Sequence, residues 1–289
     1  MVPFSSFSLN IHGRLFDCKR PQIMGIVNVT PDSFYSASRT FEPDLIRRRV
    51  ESMIEDGADI IDIGAYSSRP GADEVAVKEE CDRLRQGLSA VRAVAPDIPV
   101  SVDTFRASVA RMAIGEGADI INDISGGTLD PLMFDTVAEL KVPYILMHMR
   151  GTPATMQTMC DYENVTLDVV KELSMKLNRL QELGVSDVIV DPGFGFSKTT
   201  EQNYVLMKDL PHIIDVLCRP VLVGISRKSM LTKPLHITPG EALEATVACN
   251  TVALLSGASF LRVHDVKAAR HALSVVTFVS QPQIVTSCL

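Results

Sequence analysis

Short apolar runs punctuate the chain at regular intervals, and each leads into a polar residue. IMGIV leads to Asn28, DIIDI carries Asp62, IPVSV leads to Asp103, and ADII leads to Asn122 and Asp123. PYILM leads to His148, DVIV to Asp191, PVLVG to Arg227 and Lys228, and SFLRV to Arg262 and His264. Strands covered on both faces read as unbroken Val/Ile/Leu runs. Packing alone gives no reason for a polar residue at the end of each run. Eight strands that deliver their last residues to one place form the mouth of a (β/α)₈ TIM barrel.

The spacing predicts strands near 23–27, 59–63, 98–102, 119–122, 143–148, 187–191, 220–224 and 259–263. Helical patterns fall near 43–56, 76–95, 105–116, 131–140, 164–183, 200–210, 240–256 and 265–279. Strict alternation of strand and helix implies right-handed parallel units, an α/β fold. The segment DGADIIDIG (56–64) reappears as EGADIINDI (116–124) and more weakly as SGASFLRV (256–263). In each, Gly is placed to end a helix in the left-handed conformation, with an apolar strand directly after it. These tight junctions belong at the barrel bottom. The longer junctions, 28–42, 64–75, 123–130, 148–163, 192–199 and 225–239, group on the opposite side, where function sits. The barrel is expected over 23–280 as a single domain, with residues 1–22 as a short N-terminal extension, a hairpin plugging the bottom, and 281–289 as a frayed tail.

Composition narrows the reading. The chain has 289 residues, 46% of them hydrophobic, enough for one large barrel core. A net charge of −7 argues against a nucleic-acid partner, which asks for a basic face. The six cysteines show no ligand spacing and are expected to be free; four of them, in or beside helices and strands, are expected to be buried apolar residues. With no signal peptide in view, a reducing cytoplasmic setting is expected. No apolar run is long enough to span a membrane.

The strand ends carry the candidate chemistry. Asp103 directly continues a buried run, while Thr104 is free to cap the next helix. One of Asn122 and Asp123 should point inward, and strand alternation favours Asn122. One of Met147 and Met149 should face the interior. Asp191 opens DPGFGF, a constrained loop whose two Phe residues offer an apolar wall to a planar ligand. Arg227 and Lys228, with Arg262 and His264, stand at the ends of the last two strands, where barrels hold phosphate groups. SSRPG (67–71) and MRGTP (149–153) each carry one Arg, ordinarily a solvated charge. Acids and amides low in a mouth can recognise a hydrogen-bonding heterocycle, and basic residues beside them a diphosphate.

In chain order, GIVNVTPDSF, SVDT, IND, DPGFGF, SRKSM and RVHDV resemble the dihydropteroate synthases over nearly the whole chain. The resemblance implies a homodimeric barrel, with no membrane or nucleic-acid partner. It implies joining of 6-hydroxymethyl-7,8-dihydropterin diphosphate to p-aminobenzoate, with diphosphate released, in folate synthesis. It assigns Asp103, Asn122, Asp191 and Lys228 to the pterin, with Met147 beside it. It makes Asn28 a contact to Mg²⁺ and diphosphate, the cofactor being Mg²⁺. It places Arg262 and a protonated His264 at the diphosphate, and Pro31, Phe34, Ser68, Arg69, Phe196 and Ser229 around p-aminobenzoate. Asp103, Asp191, Lys228 and Asn28 are the implied catalytic set. Two departures stand out. SSRPG replaces the family's STRPG, and DSFYSASR replaces DSFSDGG, which removes an Asp and a pair of glycines. Two alternatives stay open on the sequence: a pterin-dependent methyltransferase acting with a corrinoid protein, and a non-catalytic pterin-binding relative.

Overall fold

The computed structural model describes residues 4–30, 43–66 and 75–283. An antiparallel hairpin comes first, β1 (Phe7–Ile11) and β2 (Arg14–Cys18). Its two-residue turn, His12 and Gly13, has positive φ at both positions, the turn geometry that matches strand twist. Strand and helix then alternate: β3 (Gln22–Asn28), α1 (Pro43–Glu55), β4 (Ile60–Gly64), α2 (Val77–Val94), β5 (Val100–Asp103), α3 (Ala107–Gly115), β6 (Ile120–Asp123) and α4 (Met133–Leu140). The second half continues with β7 (Tyr144–Met147), α5 (Val165–Glu182), β8 (Val188–Asp191), α6 (Thr200–Lys208), α7 (Leu210–Leu217), β9 (Leu222–Val223), α8 (Ser229–Leu235), α9 (Leu243–Leu255), β10 (Phe260–Val263) and α10 (Val266–Ser280). Eight strands, β3 to β10, form one sheet in the order β8-β7-β6-β5-β4-β3-β10-β9, and its paired strands run parallel. A parallel bridge between Val190 and Val221 joins the ends of that order, so the sheet closes into the expected (β/α)₈ barrel.

The repeated segments fold alike. Gly57, Gly117 and Gly257 all sit at positive φ. Behind each, the next residue donates five positions back: Ala58 to Met53, Ala118 to Ala113 and Ala258 to Ala253. That is the Schellman closure, open to Gly because it lacks a Cβ. In two copies an Asp then ties down the neighbouring strand: Asp59 accepts from Ile23 N and Asp119 from Val100 N.

Two helices lie outside the sequence expectation. α7 follows α6 after the single residue Asp209, because Pro211 sits in the first helical turn, where its missing N–H costs nothing. α8 occupies part of the expected 225–239 junction. Of the five cysteines described, all free, only Cys18 is buried, and Cys218 is exposed at the end of α7. Helix-borne position therefore does not by itself bury a thiol. Among the described residues no helix is long and apolar enough to cross a membrane.

Strand parity builds the site. Met24, Ile60, Ile120, Ile145, Ile189, Leu222 and Phe260 form one apolar layer inside the barrel, and Leu9 of the hairpin packs against it from below. Side chains two residues apart share a face. The residues two positions further on are therefore the next inward layer: Ile26, Asp62, Asn122, Met147, Asp191, Gly224 and Arg262. Asp103 at the end of β5 joins the same layer through its contact with Arg262.

Candidate active site

Arg262 is the centre of this layer. Its Nε donates to Asp62 Oδ2 at 2.7 Å, and its Nη2 to Asp103 Oδ2 at 2.9 Å. Asn122 Nδ2 lies 3.4 Å from both oxygens of Asp62. Burial opposes the charge on Arg262, but Asp62 and Asp103 outweigh it and raise its pKa. Asp103 behaves in the opposite way to a solvated acid. Burial lifts its pKa to about 7, with Arg262 pulling it down and Asp62 pushing it up.

Two glycines show how close the remaining residues stand. A Cβ built on Gly64 would lie 3.5 Å from Asp103 Cβ and 3.7 Å from Asn28 Oδ1, so Asn28 flanks Asp103. One built on Gly224 would lie 3.8 Å from Arg262 Cβ and 3.9 Å from Asp191 Oδ2. Asp191 is buried and accepts from Gly193 N at 2.7 Å. Burial raises its pKa, and the nearby charge of Lys228 counters this. Lys228 donates to the Phe194 carbonyl at 2.6 Å and stands 4.6 Å from the Phe196 ring centroid. Burial lowers its pKa to about 8. Phe196 packs with Ile124, Met147, Met149 and Met156, an apolar wall beside the polar floor.

Asn28, Asp103, Asn122, Met147, Asp191, Phe196, Lys228 and Arg262 thus converge, and Asp62 joins them as the floor's third carboxylate. Arg262 stands against acids low in the mouth, linking the acidic and cationic halves. Ser229 is exposed at the first turn of α8. Pro31, Phe34, Ser68 and Arg69 lie outside the described residues.

Several side chains take other places than the sequence implies. His264 is pushed towards its neutral form, away from the protonated ring that the resemblance implies. Burial, with Arg262 and Arg227 nearby, lowers its pKa to about 4. Ser226 Oγ accepts from His264 N at 3.2 Å and lies 3.0 Å from Nδ1. When the hydroxyl donates its proton to Nδ1, the neutral ring carries its own proton on Nε2. Arg227 pairs bidentately with Asp265, at 2.9 and 2.6 Å, and fastens the β9 loop to the β10 loop. Met147 and Met149 both enter the apolar wall, since positions two apart stay on one side. Asp123 faces outward, accepting from Tyr144 Oη at 2.7 Å and from Ser125 and Gly127. His148 also points outward, towards Glu172 on α5. Arg150 of the MRGTP loop is no solvated charge, because it bonds Glu172 and stacks 3.9 Å from the Tyr162 ring centroid.

A barrel mouth with two acids bridged by one arginine, an amide, a third acid, a buried lysine and an aromatic wall defines an enzyme class, one that holds a polar heterocycle beside an anionic group. The chain matches the family described as pterin binding enzyme over residues 24–264. It is 43% identical over 258 residues to the dihydropteroate synthase of Synechocystis, covering 88% of this chain and 89% of that protein. It is 44% identical over 279 residues to a mitochondrial folate synthesis bifunctional protein of Arabidopsis thaliana, covering 90% of this chain and 50% of that one. The chain therefore spans about half the length of that bifunctional relative. A solved structure of Xanthomonas albilineans dihydropteroate synthase with 4-aminobenzoic acid superposes with a TM-score of 0.88 at 37% identity, covering 96% of this chain and 99% of that one. The chain belongs to the pterin binding enzyme family, and within it to the dihydropteroate synthases.

Proposed function

We propose that the protein condenses 6-hydroxymethyl-7,8-dihydropterin diphosphate with p-aminobenzoate to give 7,8-dihydropteroate and diphosphate. The observation that carries this is a floor in which Arg262 bonds Asp62 and Asp103, Asn122 lies against Asp62, and Asp191 feels the nearby charge of Lys228. Poorly solvated carboxylates gain most from charge-assisted bonds donated by ring N–H and amino groups. Lys228 can donate to a ring carbonyl while Phe196 and Met147 cover the ring face. The relatives, named for folate synthesis, favour this reading over a methyltransferase.

The chemistry follows from the residues. The bond from the methylene carbon to diphosphate oxygen breaks first, and the positive charge spreads into the electron-rich dihydropterin. Asp103 and Asp191, held in a dry site, favour that charge. The arylamine nitrogen, uncharged at neutral pH, then forms the new C–N bond and sheds a proton to solvent. Positioning, rather than a strong base, is what the protein supplies. To departing diphosphate oxygens this reading assigns Arg262 and the Nε2–H of His264 as donors.

Mg²⁺ is part of the proposal, with Asn28 as its protein ligand. Bound there, it would neutralise charge on the diphosphate. Among the described residues no group of three His, Cys, Asp or Glu side chains is placed to hold a metal. The ion's other ligands would be phosphate oxygens and water, the usual habit of Mg²⁺.

A homodimer is supported by apolar side chains exposed on α6, α8 and α9: Tyr204, Val205, Leu235, Leu243 and Val252. A cytosolic setting is supported by the free thiols. The decisive experiment mixes purified protein, Mg²⁺, the pterin diphosphate and p-aminobenzoate. Dihydropteroate should form in step with diphosphate, and pterin binding without either product would leave a binding protein.

A further inference from the structure

The loop that follows Asp191 is held from behind by a lysine that the catalytic reading leaves unused. Lys198 is 4% exposed, and its ammonium lies 3.0 Å from His148 Nδ1, 3.1 Å from the Gly193 carbonyl and 3.0 Å from the Phe196 carbonyl. A fourth acceptor, the His148 carbonyl, is 3.5 Å away. Its direct partners are thus all uncharged. An ammonium buried this way is costly, and burial lowers its pKa to about 7, with Asp191 opposing the shift. Such costs persist where they serve a site.

The network has a fixed direction. Lys198 donates to His148 Nδ1, so the imidazole proton sits on Nε2, which faces Glu172 Oε2 at 3.0 Å. Glu172 is held in turn by Arg150 Nε at 2.9 Å. Burial and the charge of Lys198 hold His148 neutral, its pKa lowered to about 4. Gly193 is pressed against the same strand end: it has φ +74, and a Cβ there would fall 1.9 Å from the His148 carbonyl. The loop has no room to shift towards β7, and Lys198 prevents it from lifting away.

What this loop presents is the pterin side of the site. Gly193 N holds Asp191, the Phe194 carbonyl holds Lys228, and Phe196 is the wall. We propose that Lys198 is a positioning residue for the reaction: its ammonium, seated on His148 and two loop carbonyls, fixes Asp191, Lys228 and Phe196 relative to one another and places positive charge behind Asp191. The inference rests on the dihydropteroate synthase reading.

The test separates the two substrates. Lys198→Met keeps the length of the stem and removes the charge and the donors. Loss of a charge-assisted set of bonds should raise the KM for the pterin diphosphate at least ~10-fold, with the KM for p-aminobenzoate within about twofold. His148→Leu, which removes the acceptor, should shift the same constant. His148→Asn, which keeps an oxygen near the position of Nδ1, should recover most of it. Folded variants with parental constants for both substrates would overturn the proposal, as would equal behaviour of the Leu and Asn variants. Unfolding by both Lys198→Met and His148→Leu would assign the network to stability alone and also overturn it. Parent protein that makes no dihydropteroate brings down the functional reading and this inference together. A working parent with indifferent variants brings down this inference only.

Discussion

Nε of Arg262 lies 2.7 Å from Oδ2 of Asp62, and the two residues stand 200 positions apart in the chain. Asp62 is fully buried and shares its arginine with Asp103. Replacing Asp62 with Asn leaves Arg262 with one full partner. Breaking a buried ion pair from one side costs ~3 kcal/mol or more, so urea unfolding should shift by about that amount. The same change removes a negative charge that raises the Asp103 pKa. Any acid limb set by Asp103 should therefore move to lower pH in Asp62→Asn. A limb that stays in place would show that the two carboxylates do not sense each other.

Asp103 itself gives opposite pH trends for stability and turnover. Its folded pKa is raised to about 7, above the ordinary value near 4 of an unfolded chain. Between those values the folded protein holds a proton that the unfolded chain has released. Stability from this group is therefore full below about pH 4 and declines as pH rises towards 7. Turnover needs the carboxylate and should rise over the upper part of that range. Asp103→Asn should keep the fold, cut turnover on the order of 10²-fold and flatten both trends. Activity within a few-fold of the parent would remove Asp103 from the pterin site.

The barrel was legible because eight apolar runs recur with helices between them, and the repeat adds more than it first shows. DGADIIDIG and EGADIINDI place Asp62 and Asn122 at equivalent positions, each two residues beyond an inward Ile. In the folded protein those side chains meet at 3.4 Å. Parity also separates Asn122 from Asp123, and it could have turned His148 outward, since Ile145 and Met147 already claim the inner face. Legibility ends where a partner comes from elsewhere in the chain. Asp265 neutralises Arg227, Glu172 binds both His148 and Arg150, and Lys198 reaches back to β7. These pairings depend on how loops fold over the barrel top, which no local period encodes. Strand β9 lies inside the expected 220–224, whereas helix α7 was missed: the expected helix stops at 210, where Pro211 opens a second helix directly after Asp209.

His264 should act as a neutral donor. With Ser226 serving Nδ1, its Nε2–H is the group available to an anion. His264→Gln can place an amide N–H near that position, whereas His264→Ala removes the donor. One lost hydrogen bond to a charged group, at ~1.5–3 kcal/mol, predicts about a tenfold or greater weakening of diphosphate product inhibition in the Ala variant. The Gln variant should lie close to the parent. Equal losses in both would mean that ring charge, rather than the Nε2 donor, holds the diphosphate.

The order of bond breaking can be read at the methylene carbon. In the proposed function the floor's carboxylates would face a cation-forming ring, and no strong base is assigned to the arylamine. Both features favour departure of diphosphate ahead of attack. A carbon passing from tetrahedral towards planar geometry loosens the bending of its C–H bonds, so deuterium there should slow the chemical step. Under conditions where chemistry limits turnover, a sizeable normal secondary isotope effect is expected. Asp191→Asn should slow the step by on the order of 10²-fold while leaving the isotope effect normal, because less stabilisation of the same cationic transition state does not change its geometry. An inverse or null effect in the parent would point to attack by the amine before the leaving group has gone. The two carboxylates would then serve recognition of the ring instead of its charge.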